Sequence, residues 1–315
     1  MSVSNSDQET VLVIGATGRH GGTGARVVER LQAAGRLVRA LVRSDDERAQ
    51  RLRESGVQTL VGDLHDRRTL LPALEGAESV YVAYPVAAGV ATALANVASV
   101  MHELDSSPHM VINSHGTGDL DSPSGISREF ALGEELMVEL GVNVTVLRIG
   151  AFFYENVLLA HSGAIRETGV FANCFGDARP AWISATDGAD LCVTALLEPQ
   201  AYAKNPIVHA PGHERLSQQE IADIISEETG REVRYQHITA DEWSRQLQAH
   251  SGGLPNHAMI THITTQATMC ANNTTILRKD TDPSALAAAS GRPPLTFRNF
   301  VRQHRSAFGA VTANA

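Results

Sequence analysis

Lysine is nearly missing from this chain. Of 26 basic residues only Lys204 and Lys279 are lysines, so chemistry that needs a lysine ammonium has two candidates. The arginine excess is compatible with a GC-rich bacterial genome. Cysteine is scarce as well. Cys174, Cys192 and Cys270 are odd in number, widely spaced, and form neither a Cys-x-x-Cys pair nor a metal-ligand spacing. This argues against a disulfide framework and favours reduced thiols in a cytosol. No apolar run reaches the ~18–20 residues of a membrane span. The polar stretch Met1–Thr10 lacks the apolar core of a signal peptide, so the expectation is a cytoplasmic protein with no membrane partner. An excess of positive charge is missing too. With 35 acidic and 26 basic residues the formal charge is −9, which argues against a nucleic-acid partner, since that needs a basic face. His250, His257 and His262 match no helix-face metal motif and have no interleaved carboxylates, so no metal site is expected.

What is present has a regular order. The 315 residues, 43 % of them hydrophobic, suffice for a large core. Short β-branched apolar runs at Val11–Ile14, Leu37–Val42, Val57–Val61, Ser79–Ala83, Met110–Asn113 and Val142–Leu147 read as strands covered on both faces. Helices are expected between them at Thr23–Ala34, Asp46–Ser55, Arg67–Leu74, Gly89–Leu104 and Arg128–Leu140. Gly35, Gly56, Gly76 and Gly141 stand just past four helix ends. Repeated strand–helix–strand units specify an α/β fold, a Rossmann-type doubly wound parallel sheet. After Arg148 the alternation breaks. Gln218–Thr229 reads as a helix with Ser217 as N-cap and Glu220 completing a capping box. Glu232–His237 reads as a strand, Asp241–Ala249 as a helix, and Asp282–Ser290 and Leu295–Ser306 as terminal helices. Ser251–Asp280 reads as loop and short helix. The division expected is a Rossmann domain over 1–155 and a smaller C-terminal α/β lobe over 156–315, with some of its segments returning to the sheet.

The first strand runs directly into Gly15-Ala16-Thr17-Gly18-Arg19-His20-Gly21-Gly22-Thr23-Gly24. Glycines here let the backbone turn tightly against a pyrophosphate, which then faces the N–H groups and positive dipole end of the next helix. The context of strand, turn and helix makes the pattern specific. The second strand ends in Arg43. An acid at this point suits the ribose hydroxyls of NAD, whereas an arginine suits the 2′-phosphate of NADP(H). Asp45 and Asp46 follow closely, so the preference is not absolute. Asp63 and Leu64, after the third strand, are placed beside the adenine. Ala83, Tyr84 and Pro85, after the fourth, pass along the middle of the cofactor.

Together GATG after the first strand, VRALVR, VGDLHD, LRIGAFFYENVL and the terminal GRPPLTFRNFV resemble the NmrA-like group of atypical short-chain dehydrogenase/reductases. The likeness covers about residues 10–308. It implies phosphate contacts from Gly15, Thr17, Gly18, Arg19, His20 and Gly21, and a 2′-phosphate contact from Arg43. It places Asp63 near the adenine, Ala83, Tyr84 and Pro85 on the ribose and nicotinamide side, and Ala151, Phe152 and Phe153 beside the nicotinamide. Gly15, Gly18 and Gly21 fit the G-x-x-G-x-x-G spacing of that group, which leaves Gly22 and Gly24 as extra glycines.

The chain departs from reductases in one respect. No Tyr-x-x-x-Lys occurs in it, and the two positions fall roughly on Ile126 and Phe130. A tyrosine acid tuned by a lysine is therefore missing. Candidate proton donors near the strand ends are His115, Ser114, Tyr84 and Tyr154. Two main readings stand. One is an NADPH-dependent oxidoreductase of a small carbonyl or quinone-like substrate, or a related specialised-metabolism enzyme whose own acid is His115. The other is a non-enzymatic NADP(H) sensor acting through a protein partner. A homodimer is compatible with either.

Overall fold

The computed structural model describes residues 9–18, 22–149, 152–210, 212–250, 256–275 and 283–309, with backbone alone at 250, 283, 285 and 289. Arg19, His20, Gly21 and Ala151, and the stretches 1–8, 251–255 and 276–282, lie outside the described residues. The first part of the chain alternates as its apolar runs require. Strands β1 (Thr10–Ile14), β2 (Leu37–Val42), β3 (Gln58–Val61), β4 (Ser79–Ala83), β5 (His109–His115) and β6 (Val144–Ile149) alternate with helices α1 (Thr23–Ala33), α2 (Glu47–Glu54), α3 (Leu71–Leu74), α4 (Val90–Glu103) and α5 (Gly125–Glu139). The helix expected over Arg67–Leu74 is instead a 3₁₀ turn, Arg67–Thr69, followed by the single turn α3. Pro72 explains the break, because proline has no N–H with which to continue a helix from the preceding turn.

Beyond β6 the chain builds β7 (Phe152–Phe153), α6 (Tyr154–Thr168), β8 (Val170–Asn173), β9 (Ala181–Ile183), α7 (Ala185–Leu197), β10 (Ile207–Ala210), β11 (Glu214–Arg215), α8 (Gln218–Thr229), β12 (Arg234–His237), α9 (Ala240–His250), α10 (His257–Ala271), α11 (Pro283–Ser290) and α12 (Phe297–Gln303). The Ser217–Glu220 capping box forms as the sequence requires.

The main sheet has the order β10-β6-β5-β4-β1-β2-β3, with every pairing parallel. Alternate residues of each strand feed opposite layers, as a two-residue period demands. Val11 and Val13 of β1, Tyr81 of β4 and Val111 of β5 join one core with Val27 and Leu31 of α1 and Leu191 of α7. Leu12, Ile14, Val80, Val82, Met110 and Ile112 join the other with Leu94 of α4 and Phe130 of α5. The C-terminal part gathers a third core rich in rings: Tyr154, Phe171, Phe175, Trp182, Trp243, Phe297 and Phe300. Around it stand the three-stranded sheet β11-β9-β7 and the pair β12-β8.

Two segments past Arg148 return to the first part. α7 lies beside α1, and β10 pairs with β6. Ion pairs fasten this return. Asp190 on α7 is 1 % exposed and meets Arg26 Nε at 3.4 Å and Arg30 Nη1 at 3.5 Å on α1. Arg292 Nη2 bridges Asp190 at 3.1 Å and Asp187 at 2.7 Å. Asp187 also accepts the Leu295 N–H at 2.9 Å.

Glu155, in the first turn of α6, accepts the Ala185 N–H at 3.0 Å and so helps to start α7. Burial, with the Asp187 charge adding to it, pushes its carboxyl up to about 7. A raised carboxyl means that the folded state holds a proton the unfolded chain has already released. Stability therefore falls as pH rises from the ordinary glutamate range to about 7, and this contribution is flat above. Glu155→Gln keeps an acceptor for Ala185 without the charge. In urea titrations, its stability gain over wild type should grow from about pH 5 to about pH 7 and then stay constant.

Candidate nucleotide and active site

Strand β1 lies between β4 and β2, so the strand order reverses there, and the crevice beyond the strand C-termini is where such sheets bind ligands. Two backbone approaches shape it. Gly15 has φ +98°, and a Cβ placed on it would lie 2.6 Å from the Ala83 carbonyl oxygen. A Cβ on Gly24 would lie 2.2 Å from the Gly15 carbonyl oxygen. Gly15 thus brings the first turn against the end of β4, and Gly24 seats α1 directly on that turn. The Gly18 N–H closes the turn onto Gly15 O at 3.0 Å. Gly22 precedes α1 at φ +71°. No side chain caps α1 and no acid stands in its first turn, so its N–H groups and dipole suit an anion. The cradle fits a pyrophosphate. Its close helix-packing glycine is Gly24, a role that the even glycine spacing hides.

The corner after β2 carries the charge. Arg43 is exposed. Both nearby acids are engaged elsewhere: Asp45 pairs with Arg53 at 2.6 Å, and Asp46 caps α2 and accepts from Arg48 at 2.6 Å. The Arg48 guanidinium holds the Asp46 carboxyl below the usual carboxylate range. Arg48 also donates to the Thr17 carbonyl at 3.0 Å, tying this corner to the glycine turn. No motif in the sequence singles Arg48 out. Asp63 is half-buried and turns the chain by accepting the His65 N–H at 2.9 Å, while the Leu64 carbonyl is fixed by Asn96 at 2.8 Å. Ala83 and Tyr84 are half-buried and Pro85 is exposed.

The four candidate donors separate clearly. Tyr154 has no exposed surface. It packs on Phe297 and Phe300 in the ring core and donates to Glu214, and burial drives its phenol far up. Ser114 is buried and donates to Glu134 Oε1, whose other oxygen holds Arg148 Nε at 2.6 Å. These two hydroxyls serve structure, which corrects the expectation of donors there. Phe152 is 7 % exposed and packs on Phe175 and Trp182, so it is core rather than nicotinamide wall. Phe153 is half-buried at the edge of the first core. Tyr84 donates to the Ala88 carbonyl at 2.9 Å and meets His65 Nε2 at 2.8 Å. Burial and the charges of Glu129 and Asp63 raise its phenol, which weakens it as an acid.

His115 differs. It ends β5 half-buried, against the Phe130 ring at 5.4 Å. Ile126 and Phe130 are both core residues, so the helix that would carry a tyrosine and lysine carries apolar packing. Helix α10 then closes over this corner. His262 on it stands edge-on to His115 at 4.7 Å and meets Ser124 Oγ at 2.8 Å. Burial pushes His262 down to about 4, so it is neutral. Gln266, one turn on, donates to Ser127. Two turns past His262, Cys270 lines a separate cavity of about 450 Å³ with Arg179, Arg215 and His237. No group of three or more His, Cys, Asp or Glu side chains is placed to share a metal ion among the described residues, and no helix among them is long and apolar enough to cross a membrane.

Comparison with known proteins agrees with this architecture. The NmrA-like family pattern matches residues 7–108. The NAD(P)H azoreductase of Xenophilus azovorans is 34 % identical over 310 residues, which cover 96 % of this chain and all of that one. The chain belongs to the NmrA-like family. Another relative of this NmrA-like protein, a (4-alkanoyl-5-oxo-2,5-dihydrofuran-3-yl)methyl phosphate reductase of Streptomyces griseus, is 28 % identical over 95 % of this chain and 99 % of its own. The fold is that of the NADPH-dependent quinone oxidoreductase of Escherichia coli solved with NADPH, at TM-score 0.76, 24 % identity and coverage of 94 % and 99 %. Triphenylmethane reductase of Citrobacter sp., solved with NADP(H), gives TM-score 0.72, 20 % identity and coverage of 93 % and 99 %.

The seating of α1 is testable by two glycines of opposite kind. Gly24→Ala forces a Cβ into the Gly15 backbone and should lower stability by about 1–3 kcal/mol. A Cβ placed on Gly163, inside α6, would meet no other atom within 4 Å. Gly163→Ala should raise stability by up to about 1 kcal/mol. Urea unfolding of the two variants beside wild type checks both signs.

Proposed function

We propose that this protein is an NADPH-dependent reductase of a small carbonyl or quinone-like acceptor, working without a Tyr-x-x-x-Lys pair. The observation that carries it is the corner after β2, where Arg43 stands exposed beside the glycine turn while Asp45 and Asp46 are bound to other arginines. An acid free to hold a ribose diol is thus missing where a cation for a 2′-phosphate is present. Full-length likeness to an NAD(P)H azoreductase supports the same reading.

In this reading the Gly15–Gly18 turn and the start of α1 hold the pyrophosphate, with Arg19, His20 and Gly21 as further phosphate contacts. Arg43 holds the 2′-phosphate, and Arg48 keeps the turn against that corner. Asp63 and Leu64 border the adenine. Ala83, Tyr84 and Pro85, with Ala151 and Phe153, border the remainder. Bound NADPH supplies a hydride. The chain's own part is to position the acceptor and meet the charge that develops on its oxygen, and His115 is the group assigned to that task. Quinones suit such a site because their reduced oxygens are already stabilised by conjugation.

Mixing the protein with NADPH and a panel of quinones and carbonyl compounds, and following loss of cofactor absorbance, tests the activity. Turnover with at least one acceptor is expected. Tight NADPH binding with no turnover on any of them would establish instead the sensor reading that the missing tyrosine and lysine favour. Arg43→Ala should weaken NADPH by about tenfold to a hundredfold, as expected for one charged hydrogen-bond partner of a phosphate. NADH should change less than about threefold by the same measure. Calorimetric titration with both nucleotides reads this directly, and equal losses would remove Arg43 from its assigned role.

A further inference from the structure

His115 is not an isolated imidazole. Its Nδ1 lies 2.9 Å from Thr117 Oγ1, Thr117 Oγ1 lies 3.2 Å from Ser127 Oγ, and Ser127 Oγ accepts the amide N–H of Gln266 at 3.0 Å. Thr117, Ser127 and Gln266 are 1 %, 0 % and 2 % exposed, so water does not compete for these groups. Each hydroxyl has a single proton, and that fixes the direction of the chain. Gln266 donates, so Ser127 accepts at that end and gives its own proton to Thr117. Thr117 then gives its proton to His115 Nδ1. A ring that accepts at Nδ1 is neutral and carries its hydrogen on Nε2. An imidazolium would donate from Nδ1. Ser127 would then face two donors, with its own proton left without an acceptor in a buried place. Neutral His262, edge-on at 4.7 Å, adds no charge that would favour the opposite arrangement.

We propose that Gln266, Ser127 and Thr117 form a one-way relay that holds His115 as the neutral Nε2–H tautomer, so that His115 meets the acceptor oxygen as a hydrogen-bond donor and not as an imidazolium acid. This rests on the reading of His115 given above and deepens it. As hydride adds to the acceptor, the π pair of its C=O bond moves onto oxygen. The Nε2–H bond stays intact and stabilises that oxyanion, as a preorganised dipole does. The proton that completes the hydroxyl comes from water. Thr117, Ser127 and Gln266 are positioning residues. Because Gln266 belongs to α10, the C-terminal lobe sets the tautomer of a residue on the main sheet.

Long-range ¹H–¹⁵N spectra of the histidine-labelled protein without cofactor read the tautomer directly. His115 should show the Nε2–H pattern at neutral pH. In Gln266→Glu the carboxylate accepts where the amide donated, so the chain runs backwards and His115 should change to Nδ1–H. In Thr117→Val the ring loses its partner and should show a mixture. Both variants should lose about tenfold to a hundredfold in kcat, the scale for a misdirected oxyanion donor, with KM for NADPH within about twofold of wild type. A wild-type Nδ1–H or imidazolium pattern overturns the proposal, as does an unchanged His115 pattern in both folded variants. His115→Ala separates the two levels. Full turnover in that variant would remove His115 from the reaction, while the spectra would still judge the relay by itself.

Discussion

The structure turns on one approach of backbone to backbone. Gly15 lets the turn after β1 lie against the Ala83 carbonyl, and Gly24 lets α1 lie against the Gly15 carbonyl. A Cβ at either place would collide with main chain, which has no side-chain rotamer with which to yield. Because β1 and β4 are neighbours across the reversal of strand order, this contact joins the two halves of the sheet where their C-terminal ends open. It also aims the start of α1 into the crevice. An anion site made of N–H groups needs its donors fixed before the ligand arrives, and close packing is what fixes them.

The position of α1 is also set from behind. Arg26 and Arg30 on its far turns meet Asp190, and Arg292 meets Asp190 and Asp187. Two carboxylates with almost no exposure are tolerable only because three guanidiniums surround them, since removing a buried charge's partners is strongly unfavourable. The joint is incomplete in detail. Arg26 Nε, Asp187 Oδ1 and Asp190 Oδ1 lack a well-aligned hydrogen bond, although ionic partners stand within 3.5 Å of them. Such a joint holds by charge more than by geometry, so it tolerates small shifts of α1. The GRPP segment that carried part of the family resemblance is therefore a fastener of the nucleotide helix, through Arg292 and the Leu295 N–H.

Strands β1 to β6 and helices α1, α2, α4, α5 and α8 were legible in the sequence because each shows a clean apolar pattern with a recognisable cap or turn. The glycine turn and Arg43 were legible for the same reason: their chemistry is local. Three helices were not. α7 is buried along most of its length, so it has no polar face to reveal a period. α6 buries only Tyr154, Val157, His161 and Ile165, too few apolar side chains for a stripe. α10 falls where the sequence reads as loop and short helix, yet it runs for 15 residues. Its buried face is largely His262, Thr264 and Gln266, polar residues that a search for hydrophobic periodicity counts as exposed. The partners of His115 were hidden with it, because Gln266 is 139 residues from Ser127 in the chain. Phe152 and Tyr154 misled in the other direction. Their place after β6 suggested a site, but the ring core of the C-terminal part claims both.

The scarcity of lysine acquires a meaning here. Where a tyrosine acid is tuned by a lysine, a buried positive charge must be stabilised beside the reacting oxygen. In this chain the corresponding helix presents Ile126 and Phe130 to the core, and the polar groups that bear on His115 through the relay and α10 are hydroxyls, an amide and a neutral imidazole. Neutral dipoles need no counter-charge and carry little desolvation penalty once every proton has an acceptor. They cannot supply a strong acid. They can supply a donor whose direction is set in advance. That exchange suits acceptors whose reduced oxygen is already a stable anion, and it disfavours simple ketones, whose alkoxide needs a proton as it forms. The polar make-up of α10 is thus the feature that connects the missing Tyr-x-x-x-Lys pair to the class of acceptor such a site can reduce.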